Sequence, residues 1–220
     1  MSAAAGEPTR LRVTEIFHSL QGESRSVGLP TTFVRLTGCP LRCGYCDTEY
    51  AFSGGQWMRL DDVLARVGTL SARFVTVTGG EPLAQKGCIE LLTRLADAGY
   101  QVSLETSGAL DVSAVDPRVV KVMDLKTPGS GEMLRNRYEN LEHLTMRDQI
   151  KFVIANREDY DWARQQMAEH RLDERCEVLM SPVHGQLPPT DLADWMLADG
   201  VRARFQLQLH KLLWGETPGR

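Results

Sequence analysis

From residue 31 onward the chain alternates two kinds of apolar pattern. Short β-branched and aromatic runs read as strands, and between them apolar residues recur at three- and four-residue intervals, the helical spacing. Strands are predicted over 11–17, 31–36, 74–78, 102–107, 119–125, 149–154, 176–180 and 204–209. Helices are predicted over 60–70, 89–98, 136–144, 159–170 and 191–198. Residues 60, 63, 64 and 67 show the helical spacing plainly, with Asp61 and Asp62 suited to the first turn. Glycines cut the pattern at 79–80, 99 and 108. Residues 18–24 and 49–57 read as polar loops.

Strand–helix alternation of this kind builds βα units on a mostly parallel sheet. About six such strands are present, plus the one near residue 13, whereas a closed eight-unit barrel takes about 250 residues. The expected fold is α/β: an incomplete, open (β/α) barrel of about six parallel strands with flanking helices. It should occupy residues 11–214 as one domain, with a flexible tail at 1–10 and a polar tail at 215–220.

Composition narrows the function classes. The 220 residues are 42% hydrophobic and 25% charged, values ordinary for a globular protein. The net charge of -4, without any Lys/Arg block, argues against a nucleic-acid partner. No run approaches a membrane span, and the small, polar start lacks a signal peptide's apolar region. A cytoplasmic protein without membrane attachment is expected. The five cysteines, an odd number with three clustered, do not read as a disulfide framework, and Cys88 and Cys176 read as small buried apolar residues.

The clustered three stand in Cys39-Pro-Leu-Arg-Cys43-Gly-Tyr-Cys46. One loop can wrap three thiolates around a metal centre. A four-iron cluster with one open iron, a zinc site completed by a distant histidine, and incidental packing all fit that spacing. Position favours the first. Cys39, Gly79, Glu81, Ser107, Lys126 and His210 all follow the C-terminal ends of expected strands. That edge carries the site in βα architectures. Within Gly79-Gly80-Glu81-Pro82 the glycines permit close backbone approach to a ligand and the glutamate can accept from an ammonium group; the plainer reading is a tight strand-to-helix turn. Arg35 lies among apolar neighbours, which suits either an exposed edge or an anchor for an anion.

Beside the cysteine loop, the double-glycine motif makes the chain resemble the radical S-adenosylmethionine superfamily. Further stretches narrow the resemblance to its 7-carboxy-7-deazaguanine synthase family. These are Glu15-Ile-Phe-His-Ser-Leu-Gln-Gly-Glu23, Phe33-Val-Arg-Leu-Thr-Gly-Cys39, Cys46-Asp-Thr48, Thr78-Gly-Gly-Glu-Pro82, Glu105-Thr-Ser-Gly108, Asp124-Leu-Lys-Thr-Pro128, Lys151-Phe-Val153 and Gln208-Leu-His-Lys211. The resemblance implies a [4Fe-4S] cluster on Cys39, Cys43 and Cys46, with S-adenosylmethionine held by Thr78, Gly80, Glu81, Ser107 and Lys126. It implies a pterin substrate met by Gln21, Glu23, Arg35 and His210, and Mg2+ on Thr48. The implied reaction is a lyase ring contraction of 6-carboxy-5,6,7,8-tetrahydropterin to 7-carboxy-7-deazaguanine with loss of ammonia, in queuosine biosynthesis. An external electron donor such as flavodoxin or ferredoxin, and a homodimer, are implied as well. Ser24 stands where the family usually has glycine, which matters only if that backbone needs a positive φ. The reach of the tail beyond Trp214 toward the pocket is left open. The rival readings are a glycyl-radical-enzyme activase or other radical enzyme, which would not need Gln21, Glu23, Arg35 and Thr48 together, and a non-catalytic metal-binding protein.

Overall fold

A computed structural model describes residues 9–217 and residue 219. Most of the expected N-terminal tail therefore lies outside the described residues, and Arg10 already belongs to the first strand. The strands are β1 (Arg10–Leu20), β2 (Pro30–Leu36), β3 (Gln56–Arg59), β4 (Phe74–Gly79), β5 (Gln101–Thr106), β6 (Val120–Asp124), β7 (Gln149–Ile154), β8 (Glu177–Pro182) and β9 (Arg204–Phe205). The helices are α1 (Leu60–Gly68), α2 (Gly87–Asp97), α3 (Arg157–His170), α4 (Leu172–Arg175), α5 (Pro189–Asp199) and α6 (Leu209–Trp214). One sheet takes all nine strands in the order β3-β1-β2-β4-β5-β6-β7-β8-β9. From β2 to β9 every pair is parallel, while β1 runs antiparallel to both β2 and β3. Among the described residues the two ends, β3 and β9, do not pair with each other, so the barrel is open.

The apolar cores lie outside the curved sheet, between strands and helices. Val34, Leu36, Val75, Val77 and Leu104 pack with Val63 and Val67 of α1 and Leu91, Leu92 and Leu95 of α2. In the other half, Ile150, Phe152, Ile154, Val178 and Met180 pack with Tyr160, Ala163 and Met167 of α3 and Leu192 and Met196 of α5. Alternate residues of the strands point inward, and there polar side chains, Thr76, Thr78, Glu105 and Lys151, stand among a few apolar ones such as Phe33, Val122 and Val153. Period-two alternation thus gives an apolar outer layer and a mixed interior rich in polar groups. The interior is where a polar ligand can sit.

β1 breaks that alternation once. Its register against β2 pairs Val13 with Leu36 and Glu15 with Arg35, with an irregularity between Val13 and Glu15. Leu36 and Arg35, adjacent on β2, face opposite sides. Their partners are two apart on β1 and would share a side in a regular strand. The extra residue, Thr14, is a β-bulge that reconciles the two. It leaves Val13 in the outer core and turns Glu15 inward.

Several local expectations are corrected. β1 continues to Leu20, through residues expected to be loop, because Ser19 and Leu20 still pair with Thr31 and Pro30. The expected loop 49–57 holds a 3-10 turn at Glu49–Ala51 and the start of β3, whose four residues, Gln-Trp-Met-Arg, show no alternation and which exists by pairing to β1. The expected helix 136–144 is a 3-10 turn, Tyr138–His143. The last strand stops at Phe205, and 209–214 is helix rather than strand continuation. Among the described residues no helix is long and apolar enough to cross a membrane.

Candidate active site

The cluster loop leaves β2 and is fastened by backbone bonds to later segments of the chain. Gly38 N donates to Ala51 O at 2.8 Å, and Gly44 N to Ser130 O at 3.0 Å. Cys39, Cys43 and Cys46 are each partly exposed, and all three line one cavity of about 360 Å³ at the C-terminal edge of the sheet. Burial lifts their thiols above the ordinary value, and the Lys126 ammonium pulls each partway back. Thiols so placed give up their protons most readily to a metal, which lowers their pKa directly. Among the described residues no three His, Cys, Asp or Glu side chains converge closely enough to hold a lone ion. The three thiols on one cavity wall suit an iron–sulfur cluster, which is held by cysteine thiolates.

The glycine pair is explained by that loop. A Cβ on Gly79 would lie 2.2 Å from Leu36 O, and one on Gly80 would lie 2.5 Å from Gly38 O and 2.6 Å from Cys39 Cβ. Glu81 N donates to Gly38 O at 2.8 Å. Two side chains are omitted so that the turn after β4 can lie directly on the cysteine loop.

Glu81 is not presented to the cavity. It is fully buried, and its carboxylate accepts from Leu83 N at 3.0 Å, Thr106 Oγ1 at 2.9 Å, Ser107 N at 2.7 Å and the Ser107 hydroxyl. This corrects its expected part as a direct ligand: it ties the glycine turn to the end of β5. Ser107 and Lys126 do reach the wall. Lys126 Nζ pairs with Asp124 Oδ2 at 2.9 Å. Among the described residues, Asp124 Oδ1 is buried without a hydrogen-bond partner. That orphaned acceptor beside Gly80, Ser107 and the thiols fits a ligand carrying hydroxyl or ammonium donors, such as S-adenosylmethionine.

Across the cavity lies a second polar group. Gln21 Nε2 donates to Thr76 Oγ1 at 3.1 Å and to Glu105 Oε1 at 3.2 Å, and Thr78 Oγ1 donates to Glu105 Oε2 at 2.9 Å. Thr78 therefore shares a hydrogen-bond chain with Gln21. Glu23 pairs with the Lys151 ammonium and accepts from Gln208 Nε2 at 2.7 Å. Burial alone would raise the Glu23 carboxyl, but the Lys151 charge and hydrogen bond outweigh it and hold the group below its ordinary value. Glu105 goes the other way: burial, reinforced by the nearby Glu23 charge, pushes it up. The sequence reading gave Glu105, Lys151 and Gln208 no role. The signal that drew attention to Arg35, a charge inside an apolar strand, was available for the first two.

Arg35 is 16% exposed, and the structure supplies a protein partner that the sequence did not reveal. Its Nε donates to Glu15 Oε1 at 2.7 Å. Thr48 lines the cavity, and its hydroxyl donates to Asp47 Oδ1 at 2.8 Å. Asp47 Oδ2 receives Lys211 Nζ at 3.0 Å, and the paired charge keeps this partly exposed carboxyl far below its ordinary value. His210 reaches the cavity from α6, not from a strand end. Its ring packs over Gly22, where an added Cβ would fall 2.1 Å from Nδ1. Burial lowers its pKa, so it is neutral at pH 7. Gly215, Glu216, Thr217 and Gly219 line the same cavity, so the C-terminal tail does reach it.

Ser24 has φ 66°, the left-handed region. A non-glycine residue there costs about 1–2 kcal/mol. Gln206 offsets this with two bonds of 2.8 Å, accepting from Ser24 N and donating to Ser24 O.

The sequence profile of the Radical SAM superfamily matches residues 33–124, the stretch from β2 to the end of β6. The 7-carboxy-7-deazaguanine synthase of Chlorobaculum tepidum is 46% identical over 93% of this chain and 94% of its own length. That of Koribacter versatilis is 44% identical over 95% of this chain and 100% of its own. The crystal structure of QueE from Escherichia coli superposes with a TM-score of 0.75 at 24% identity, over 91% of this chain and 95% of that one; it speaks for the fold. With its thiol loop, glycine turn and facing polar wall in one cavity, the chain belongs to the 7-carboxy-7-deazaguanine synthase family of radical S-adenosylmethionine enzymes.

Proposed function

We infer that this chain converts 6-carboxy-5,6,7,8-tetrahydropterin to 7-carboxy-7-deazaguanine with loss of ammonia. The carrying observation is one cavity with three thiols on one side and Gln21, Glu23 and Arg35 on the other. Cys39, Cys43 and Cys46 would hold the [4Fe-4S] cluster, with S-adenosylmethionine against Gly80, Ser107, Asp124 and Lys126. When bound, that pair supplies the one-electron chemistry that begins the reaction by taking a hydrogen atom from the substrate.

The chain's own residues bind and aim. Each Glu23 oxygen keeps a free lone pair beyond the bonds already made, and the group stays ionised. It is suited to the N–H edge of a reduced pterin. Glu105, its carboxyl pushed up by burial and the Glu23 charge, braces Gln21 and Thr78. Gln21 stands between the two carboxyls; its Nε2 is already engaged by Thr76 and Glu105, and its Oε1, which accepts from Glu23 N, keeps one lone pair for a substrate donor. Arg35 would take the 6-carboxylate in a two-pronged contact. Thr48 would supply one oxygen to Mg2+, which keeps most of its waters and shares the same carboxylate. Neutral His210 and the tail residues Gly215, Glu216, Thr217 and Gly219 would border the ligand on the side opposite the sheet. Residues 11–214 would act as one radical domain, in a cytoplasmic setting that keeps the thiols reduced. An external donor such as flavodoxin or ferredoxin and a homodimeric state complete the reading. A glycyl-radical activase would need an opening for a protein segment, whereas a polar cavity of about 360 Å³ suits a small molecule.

The test is anaerobic turnover with reconstituted cluster, S-adenosylmethionine, magnesium and a reductant. Ammonia and the deazapurine should appear in equal amounts. They should vanish in Cys39→Ala, Cys43→Ala and Cys46→Ala and persist in Cys88→Ala and Cys176→Ala. Cleavage of S-adenosylmethionine without either product from this substrate would remove the assignment.

A further inference from the structure

The Arg35 guanidinium is held at one position only. Nε donates to Glu15, and among the described residues neither terminal amino group has a hydrogen-bond partner. The group lies against two rings, 5.9 Å from the Phe17 centroid and 5.7 Å from that of Tyr50. Tyr50 also donates its hydroxyl to the same Glu15 oxygen at 2.8 Å. Phe17 in turn stacks on Phe33 at 4.9 Å. The fork is thereby fixed in plane and direction, with its two-donor end left for a ligand in the cavity.

Glu15 reaches this place only through the bulge at Thr14, which turns it from the side of Val13 to the side of Arg35. Bulges next to active sites commonly re-aim a side chain. A carboxylate so close also subtracts from the positive potential that Arg35 offers to an anion. If Glu15 served only as a neutraliser, its removal would strengthen anion binding. If it aims the fork, its removal would weaken binding, because a guanidinium free to rotate seldom meets both oxygens of a planar carboxylate.

We propose that Glu15 is a positioning residue that, with Tyr50, presents the terminal nitrogens of Arg35 to the substrate carboxylate and so selects for the carboxylated pterin. This rests on the reading of Arg35 given above.

The sign of one change decides it. Binding is measured anaerobically on the reconstituted protein with S-adenosylmethionine present, using 6-carboxytetrahydropterin and the same ring without its carboxylate. Glu15→Ala should weaken the carboxylated ligand about tenfold and leave the other unchanged, with S-adenosylmethionine affinity and the melting temperature as folding controls. Glu15→Gln, which keeps an acceptor for Nε, should retain most of the preference. Equal or tighter binding of the carboxylated ligand to Glu15→Ala overturns the proposal, as does an equal loss for both ligands. If the parent protein itself fails to distinguish the two, the assignment of Arg35 to the carboxylate falls, and the role of Glu15 falls with it.

Discussion

Glu23 and Glu105 stand on one cavity wall, and their surroundings drive them apart. Glu23 has an ammonium partner in Lys151, while Glu105 has a hydroxyl and an amide, and faces the charge of Glu23. A depressed folded-state carboxyl contributes stability above its unfolded value, about 4.3, and loses it as pH falls through the folded value. Lys151, held above the ordinary amine value chiefly by Glu23 against the opposing effect of burial, extends the paired state upward through neutral pH. A raised carboxyl has the opposite sign: Glu105 costs stability as pH climbs from the unfolded value toward the folded one. Glu23→Gln should therefore destabilise by about 3 kcal/mol at pH 7, the cost of breaking a buried pair, and by less at pH 4. Glu105→Gln should compare better with the parent at pH 8 than at pH 5. Unfolding curves across that range check both, and parallel trends for the two variants would contradict the assignment. At this scale the sequence was legible for charges inside apolar strands, as with Arg35. Their partners were not, because Glu15 meets Arg35 only through a bulge and Lys151 meets Glu23 across 128 positions of chain.

α6 and the residues after it differ in kind from the other elements. The helix has six residues, and its Leu212 and Leu213 are 61% and 50% exposed. Burial of apolar area therefore contributes little to its position. Polar contacts hold it instead: Leu209 N to Gly22 O at 3.0 Å, Gln208 Nε2 to Asp47 at 3.1 Å, and Lys211 Nζ to Asp47 at 3.0 Å. Asp47 sits between Cys46 and Thr48, so the strap is latched to the cluster loop itself. Elements with few buried apolar contacts open first. Lys211→Met removes one charged bond, and such bonds contribute about 1.5–3 kcal/mol. Hydrogen exchange over 209–217 should quicken by about tenfold or more while the central strands β4 to β7 keep their protection. Uniform acceleration would mean global destabilisation, and no change would mean that the latch is elsewhere. The strap could not be read from sequence, because alternating Phe205, Leu207 and Leu209 imitate a strand. β9 ends where Gln206 turns to clamp Ser24. The long parallel strands were legible, since each carries its own apolar period.

For the molecule as a whole, an open sheet with helices outside and polar residues inside brings distant motifs to one edge. Parallel order places the ends of β2, β4, β5 and β6 side by side, and there stand Cys39, Gly80, Ser107 and Lys126. Sequence reading located these because βα topology fixes which strand end faces the site. It did not anticipate that Glu81 would be buried beneath that edge, since a motif shows which residue is present but not which way it points. The central claim is that the thiol loop and the facing polar wall serve one small-molecule reaction. A structure of the anaerobically reconstituted protein with S-adenosylmethionine and 6-carboxytetrahydropterin tests it most directly. The expected result has the pterin carboxylate on the terminal nitrogens of Arg35, the ring edge on Gln21 and Glu23, and the nucleoside against Gly80 and Ser107. A pterin bound outside this cavity, or inside it with its carboxylate away from Arg35, would contradict the account.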